Sequence, residues 1–155
     1  MTAGTQPTTD HVDFGVLVPL TVYFDDFDPM GLLHNSRYAV LVERAWIAYW
    51  ESQGFGGRKF AAAEGDEFNV VKDLHIVFDL ALDRAGEYAV HLWLEPLGRT
   101  SATAGFRVCS ADASVTYAHG TRTVVRLDPR TLRPVAWSDH VRSLSSSMLR
   151  PRPDR

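Results

Sequence analysis

From Ser36 to about Gln53 the chain runs without glycine or proline, and Tyr38, Leu41, Val42, Ala45, Trp46 and Tyr49 recur at the spacing of one helical face. The spacing predicts a helix, with Asn35 or Ser36 capping its start and the glycines at 54, 56 and 57 stopping it. Val40 and Ile47 put apolar groups on the opposite side as well. A helix with so little surface suited to water needs cover on most sides, which predicts a sheet wrapped around it.

The rest of the chain supplies that cover. Ahead of the helix, "VLVPLTVYF" at 16–24 is β-branched and aromatic, and Pro19 suits an edge strand or a bulge. After a glycine-rich loop at 54–66 the period changes to two. Leu74, Ile76, Phe78 and Leu80 alternate with His75, Val77 and Asp79, and Tyr88, Val90, Leu92 and Leu94 alternate with Glu87, His91, Trp93 and Glu95. Two further strands are predicted over 99–109 and 113–127, and turn signals at 83–86, 96–98, 110–112 and 128–129 separate them. The short connections predict a largely antiparallel meander of these four strands. The fold class expected is α+β, a curved antiparallel sheet around one long central helix. A short helix is also expected over 138–149.

Residues 1–12 and 150–155 are polar and turn-rich, so both are expected as flexible tails around a single domain at 13–149. A small sheet of this kind leaves open edges, and pairing with a second copy protects them; a homodimer or a dimer of dimers is expected.

Charge and cysteine content narrow the functional classes. A formal charge of −3 and an isoelectric point near 6.0, with scattered basic residues, argue against a nucleic-acid partner. The lone cysteine, Cys109, allows no intrachain disulfide and no Cys/His zinc spacing, so a reducing compartment, the cytoplasm, is expected. No targeting segment and no membrane-length apolar run is read in the sequence, so no membrane partner is expected.

The stretch "DDFDPMGLLHNSRY" at 25–38 crowds acidic groups just ahead of the long helix. One reading is a turn whose Asp side chains bond their own backbone and favour the positive helix end, a role suited to Asp25 and Asp26. A second reading singles out Asp28, which Pro29 and Gly31 would turn toward the helix start. A carboxylate and free helix-end N–H groups are complementary tools for acting on a thioester carbonyl, the one as nucleophile or general base, the others as oxyanion donors. A third reading gathers Asp25, Asp26, Asp28 and His34 around a divalent ion, but no distal ligand motif supports it, and no metal is expected.

From about Val16 to about Ser138 the chain resembles the hotdog-fold acyl-CoA thioesterases of the 4-hydroxybenzoyl-CoA thioesterase type. The resemblance rests on "VYFDDFDPMGLLHNSRYAVLVERAWIAYWE", on the strand region from Val70 to Val108 and on "AHGTRTVVRLD". Its most specific part is Asp26-x-Asp28-x-x-Gly31, then His34-Asn35 and Tyr38, then Glu43-Arg44-Ala45. It implies that Asp28 is the catalytic carboxylate, that the Asn35 backbone amide polarises the carbonyl, and that His34 assists. Gly31, Ser36 and Tyr38 would lie beside the substrate. Arg99, Arg122 and Arg126 are candidates for the nucleotide phosphates, against a plain role as solvated strand residues. The helix residue Glu43 is expected to pair with a basic group or stay solvated, and His75, His91, His119 and His140 are read as ordinary. The run Gly31-Leu32-Leu33-His34-Asn35 matches neither of two branch patterns, Gly-His-Val-Asn-Asn and Gly-Val-Val-Tyr-His.

The implied activity is hydrolysis of an acyl-CoA thioester to acid and coenzyme A. It needs no cofactor beyond the coenzyme A carried by the substrate, and its site lies at the dimer interface. Release of an acyl chain from acyl carrier protein and a non-catalytic thioester-binding module are the alternatives.

Overall fold

The computed structural model describes residues 6–56 and 65–154 of the chain. Strand β1 is Val16–Val22, helix α1 is Asn35–Ser52, and strands β2 to β5 are Asn69–Phe78, Gly86–Leu94, Ser101–Ser110 and Thr116–Arg126. A short helix, α2, spans Asp139–Ser145, with Ser138 accepting the Val141 N–H at its cap. Part of the glycine-rich loop expected at 54–66, Gly57 included, lies outside the described residues.

The six helix positions picked out by their spacing are the six buried residues of α1. Burying each large side chain contributes about 1.5–3 kcal/mol gross, which outweighs helix propensity. This face packs on β1, β3 and β4. Val18, Val22, Val90, Leu92, Phe106 and Val108 meet it there and form the main core with it. A smaller cluster on the other side of the sheet joins Leu17, Ala89, Cys109 and Ala113.

All strand pairs are antiparallel, in the order β1-β3-β4-β5-β2. One expectation is corrected here. The meander holds only for β3–β5, because β2 crosses to the far edge and pairs with β5. Its link to β3, residues 79–85, is seven residues long and reaches up to about 23 Å. Strands three places apart are only about 14 Å away, so a short link does not compel neighbours to pair. Of the alternating set in and after β2, Ile76 packs against the main core, whereas Leu74, Phe78 and Leu80 are 42%, 53% and 53% exposed.

At the other edge β1 carries Pro19, as the sequence suggested. Thr8 exchanges two backbone hydrogen bonds with Leu17, which holds that part of the expected N-terminal tail to β1. Arg150 similarly donates its N–H to the Leu94 carbonyl. Among the described residues no helix is long and apolar enough to cross a membrane.

Candidate active site

The acidic stretch folds back on itself between β1 and α1. Phe27 and Leu33 form an isolated antiparallel bridge, and the Gly31 N–H donates to the Asp28 carbonyl at 3.0 Å. Gly31 has φ +76° with open space where a Cβ would stand. It is glycine for its backbone conformation, not for room. Within this turn Asp28 Oδ1 accepts the N–H groups of Met30 at 2.8 Å and Leu32 at 3.1 Å. The turn role assigned to its neighbours therefore falls to Asp28 as well, but only through one oxygen. Oδ2 accepts from no described group.

Asp26 is buried, and its Oδ2 accepts the Tyr23 N–H at 2.8 Å while Oδ1 lies 3.6 Å from Arg37 Nε. Its carbonyl takes the His34 N–H. Asp26 is thus a structural brace for the approach to α1. Among the described residues no three His, Cys, Asp or Glu side chains gather as a ligand set would.

The helix start is built by His34, not by Asn35 or Ser36. His34 is the N-cap, and its Nδ1 accepts the Ser36 N–H at 3.1 Å. Imidazole substitutes for the usual short polar cap because the Ser36 hydroxyl also meets Nδ1, at 2.8 Å. Leu33 donates its N–H to the Leu82 carbonyl, and both side chains are buried, which fixes the helix end against the β2–β3 link. Asn35, the first helical residue, keeps a backbone N–H that donates to no described group.

Asp28, His34, Asn35 and Tyr38 line one open cavity of about 490 Å³. Its remaining wall is mostly apolar, with Phe78 at the end of β2 and Leu80 and Leu82 in the link that follows, but it also includes Asp79, whose carboxylate pairs with His119. Tyr38 is buried edge-on to Phe78, their ring centroids 5.1 Å apart. Burial pushes the Tyr38 phenol up, with a hydrogen bond from the backbone of Leu82 opposing it. Sequence reasoning missed Phe78, Leu80 and Leu82 as site residues; the signal was the apolar run continuing through Leu80 into the link.

The other expected substrate contacts lie elsewhere. Ser36 is turned to His34, and neither it nor Gly31 lines this cavity. Arg99 is exposed and takes part through its carbonyl, which accepts the Trp137 N–H. Arg126 pairs with Asp66 at 3.2 Å. Arg122 is only 7% exposed; it stacks on the Trp46 ring at 5.3 Å and lies 3.7 Å from Glu43 Oε1. Buried in this way, with its charge disfavoured by desolvation, it is neither a solvated strand residue nor an open phosphate contact. It lines a second cavity beside the later half of α1.

Residues 22–144 match the family model of the thioesterase-like superfamily. No curated protein sequence matches the chain. Among solved structures, a candidate acyl-CoA thioesterase from Xanthomonas campestris is 27% identical, with a TM-score of 0.64 over 79% of this chain and 97% of that one. A thioesterase from Thermus thermophilus, complexed with coenzyme A and zinc, is 23% identical, with a TM-score of 0.68 over 84% and 96%. A protein from Pseudomonas aeruginosa is 19% identical, with a TM-score of 0.76 over 86% and 90%.

Proposed function

The chain belongs to the thioesterase-like superfamily, and from that premise we propose that it hydrolyses acyl-CoA thioesters with Asp28 as the catalytic carboxylate. One observation carries the reading: a carboxylate with one oxygen held and one free shares a cavity with the unpartnered N–H at the start of α1. The held oxygen fixes the carboxyl plane, and the free oxygen is the reactive one. Acting as general base, it takes a proton from a water whose oxygen forms the new C–O bond. Acting as nucleophile, it forms that bond itself, and water later cleaves the resulting anhydride to free the acid. In either case the carbonyl oxygen gains charge. The Asn35 N–H receives that charge at the positive helix end. The C–S bond then breaks, and the coenzyme A sulfur leaves as thiolate and takes a proton; the acid is the other product. His34, as the cap, positions the helix end and touches no reacting atom in this scheme. Coenzyme A, bound in one structural relative, is the carrier we assign here.

We read the helix against its antiparallel sheet as the hotdog fold and expect two copies to pair along β2. Among the described residues the outer edge of β2 has no partner strand, and Val70, Val71, Leu74, Val77 and Phe78 are exposed along it. Phe78 also walls the Asp28 cavity, so pairing would complete the site. The buried, free thiol of Cys109 fits a cytoplasmic location.

The test is Asp28→Asn. Asparagine keeps an oxygen for the Met30 and Leu32 N–H groups and removes only the reactive charge. Against a panel of short, long, branched and aromatic acyl-CoA substrates, kcat/KM on the best parental substrate should fall about 10²–10⁴-fold with thermal melting preserved. Parental turnover in this variant would remove Asp28 from the mechanism.

A further inference from the structure

The second cavity, about 360 Å³, is at the small end of the range of about 300–1,000 Å³ typical of small-molecule sites. It shares no lining residue with the Asp28 cavity. Aromatic rings make much of its wall. Trp46 and Trp50 meet at 65° with centroids 5.8 Å apart, and Trp50 and Phe55 meet at 89° and 5.5 Å. Rings set at such steep angles wall a box in place of a stack.

One end of this box already holds a cation. The Arg122 guanidinium rests over the Trp46 ring at 5.3 Å, with Glu43 Oε1 3.7 Å away. Indole and carboxylate hold positive charge there together. The end at Gly56 repeats these parts without the charge. Trp50 and Phe55 supply half-buried rings, and two exposed carboxylates stand against Gly56. Glu67 Oε1 accepts the Gly56 N–H at 2.8 Å, and Glu51 Cγ lies 3.2 Å from where a Gly56 Cβ would be. Among the described residues neither Glu51 nor Glu67 pairs with a cation, whereas Asp66 on the same wall pairs with Arg126. Two like charges so placed at the edge of an apolar box favour a cation between them.

The chemistry of the walls decides which cation. A metal ion draws several ligands onto itself, and among the described residues no three His, Cys, Asp or Glu side chains gather in that way. A primary ammonium brings three N–H donors, each needing an acceptor, and the ring faces of Trp50 and Phe55 do not supply them. A quaternary ammonium has no donor to satisfy, and its charge is spread over methyl groups that pack on aromatic faces. We propose that this end of the cavity binds a small aliphatic quaternary ammonium compound, with its methyl groups against Trp50 and Phe55 and its charge toward Glu51 and Glu67. Binding there requires neither thioester hydrolysis nor pairing of two copies.

The test compares choline with its uncharged carbon isostere, 3,3-dimethylbutan-1-ol, each titrated into the full chain by calorimetry at fixed ionic strength. The two have the same shape and differ in charge. Choline should bind at least about tenfold tighter than the isostere. In Trp50→Leu this ratio should fall toward one, and in the double variant Glu51→Gln, Glu67→Gln, which changes only exposed side chains, it should fall as well. Equal affinities in the parent, as a merely apolar pocket would give, overturn the proposal. So does a parent that binds no choline, as a site already filled by a cation of the chain itself would give, and so does displacement of choline by equimolar calcium. An unchanged ratio in either variant overturns it too; where Trp50→Leu does not fold, Phe55→Leu is read in its place. Turnover plays no part in the readout, so the thioesterase reading and this one stand or fall separately.

Discussion

Asp28 and Leu32 are bonded to each other twice: the Leu32 N–H donates to Asp28 Oδ1 at 3.1 Å, and the Asp28 N–H donates to the Leu32 carbonyl at 2.8 Å. The residue proposed to carry the chemistry therefore also shapes the turn that presents it. Catalytic and structural losses at position 28 are separable only by choosing substitutions that keep or remove the held oxygen.

Asp28→Ala removes the acceptor of two backbone N–H groups, whereas Asp28→Asn keeps it. Thermal or urea denaturation should show the alanine variant about 1–2 kcal/mol less stable than the asparagine variant. Equal stabilities would mean that the held oxygen contributes nothing to the turn.

A pH dependence follows from His91, which the sequence offered as an ordinary strand histidine and the structure buries. Its Nε2–H donates to the Phe14 carbonyl at 2.7 Å, and its Nδ1 accepts from Arg107 Nε at 3.0 Å. The bond from Arg107 requires the neutral ring, whereas Nε2–H donates to Phe14 in either state. Desolvation holds its pKa below the ordinary value of 6.5, the nearby Arg107 charge adding to this and the Phe14 bond opposing it. The unfolded chain binds a proton near 6.5 and the folded one only at lower pH, so in that window the unfolded state holds more protons. Stability should hold steady above that window and fall as pH drops through it. Urea midpoints across the range should fall less steeply in His91→Gln than in the parent; parallel curves would contradict the assignment.

Gly120 of β5 pairs with Ile76 of β2. A Cβ there would stand 1.8 Å from the His75 carbonyl oxygen and 3.0 Å from the Phe106 ring. Backbone cannot yield as a flexible side chain does, so Gly120→Ala should cost about 1–3 kcal/mol and loosen β2 first. Hydrogen exchange across residues 69–78 checks this, and unchanged protection there would count against it.

Leu74 sits mid-strand on the open edge, 42% exposed. A lysine at this position puts like charges together at a two-fold interface and blunts the edge. Sedimentation should show the parent as a dimer or larger and Leu74→Lys shifted toward monomer, with an unchanged far-ultraviolet circular dichroism spectrum and reduced thioester hydrolysis. An unshifted oligomer would place the interface elsewhere.

The readable parts of this fold are those whose physics is local. Tyr38, Leu41, Val42, Ala45, Trp46 and Tyr49 announced the buried face of α1 because helical spacing is a property of consecutive residues, and Asp28, His34, Asn35 and Tyr38 share a cavity because one short turn joins them. Gly31 was readable for the same reason. Even there the cap went to His34, since a side chain's nearest donor depends on the path its backbone takes.

What the sequence by itself determined was the order and type of elements and the acidic turn ahead of the helix. The tertiary structure alone decided that β2 pairs with β5 at the far edge, that Arg122 turns inward onto Trp46, and that Phe78, Leu80 and Leu82 wall the Asp28 cavity. The physical reason is reach. Alternation along a strand marks two faces but names no neighbour, and a seven-residue link is long enough to serve several strand orders. Only the summed packing of α1 on β1, β3 and β4 selects among them.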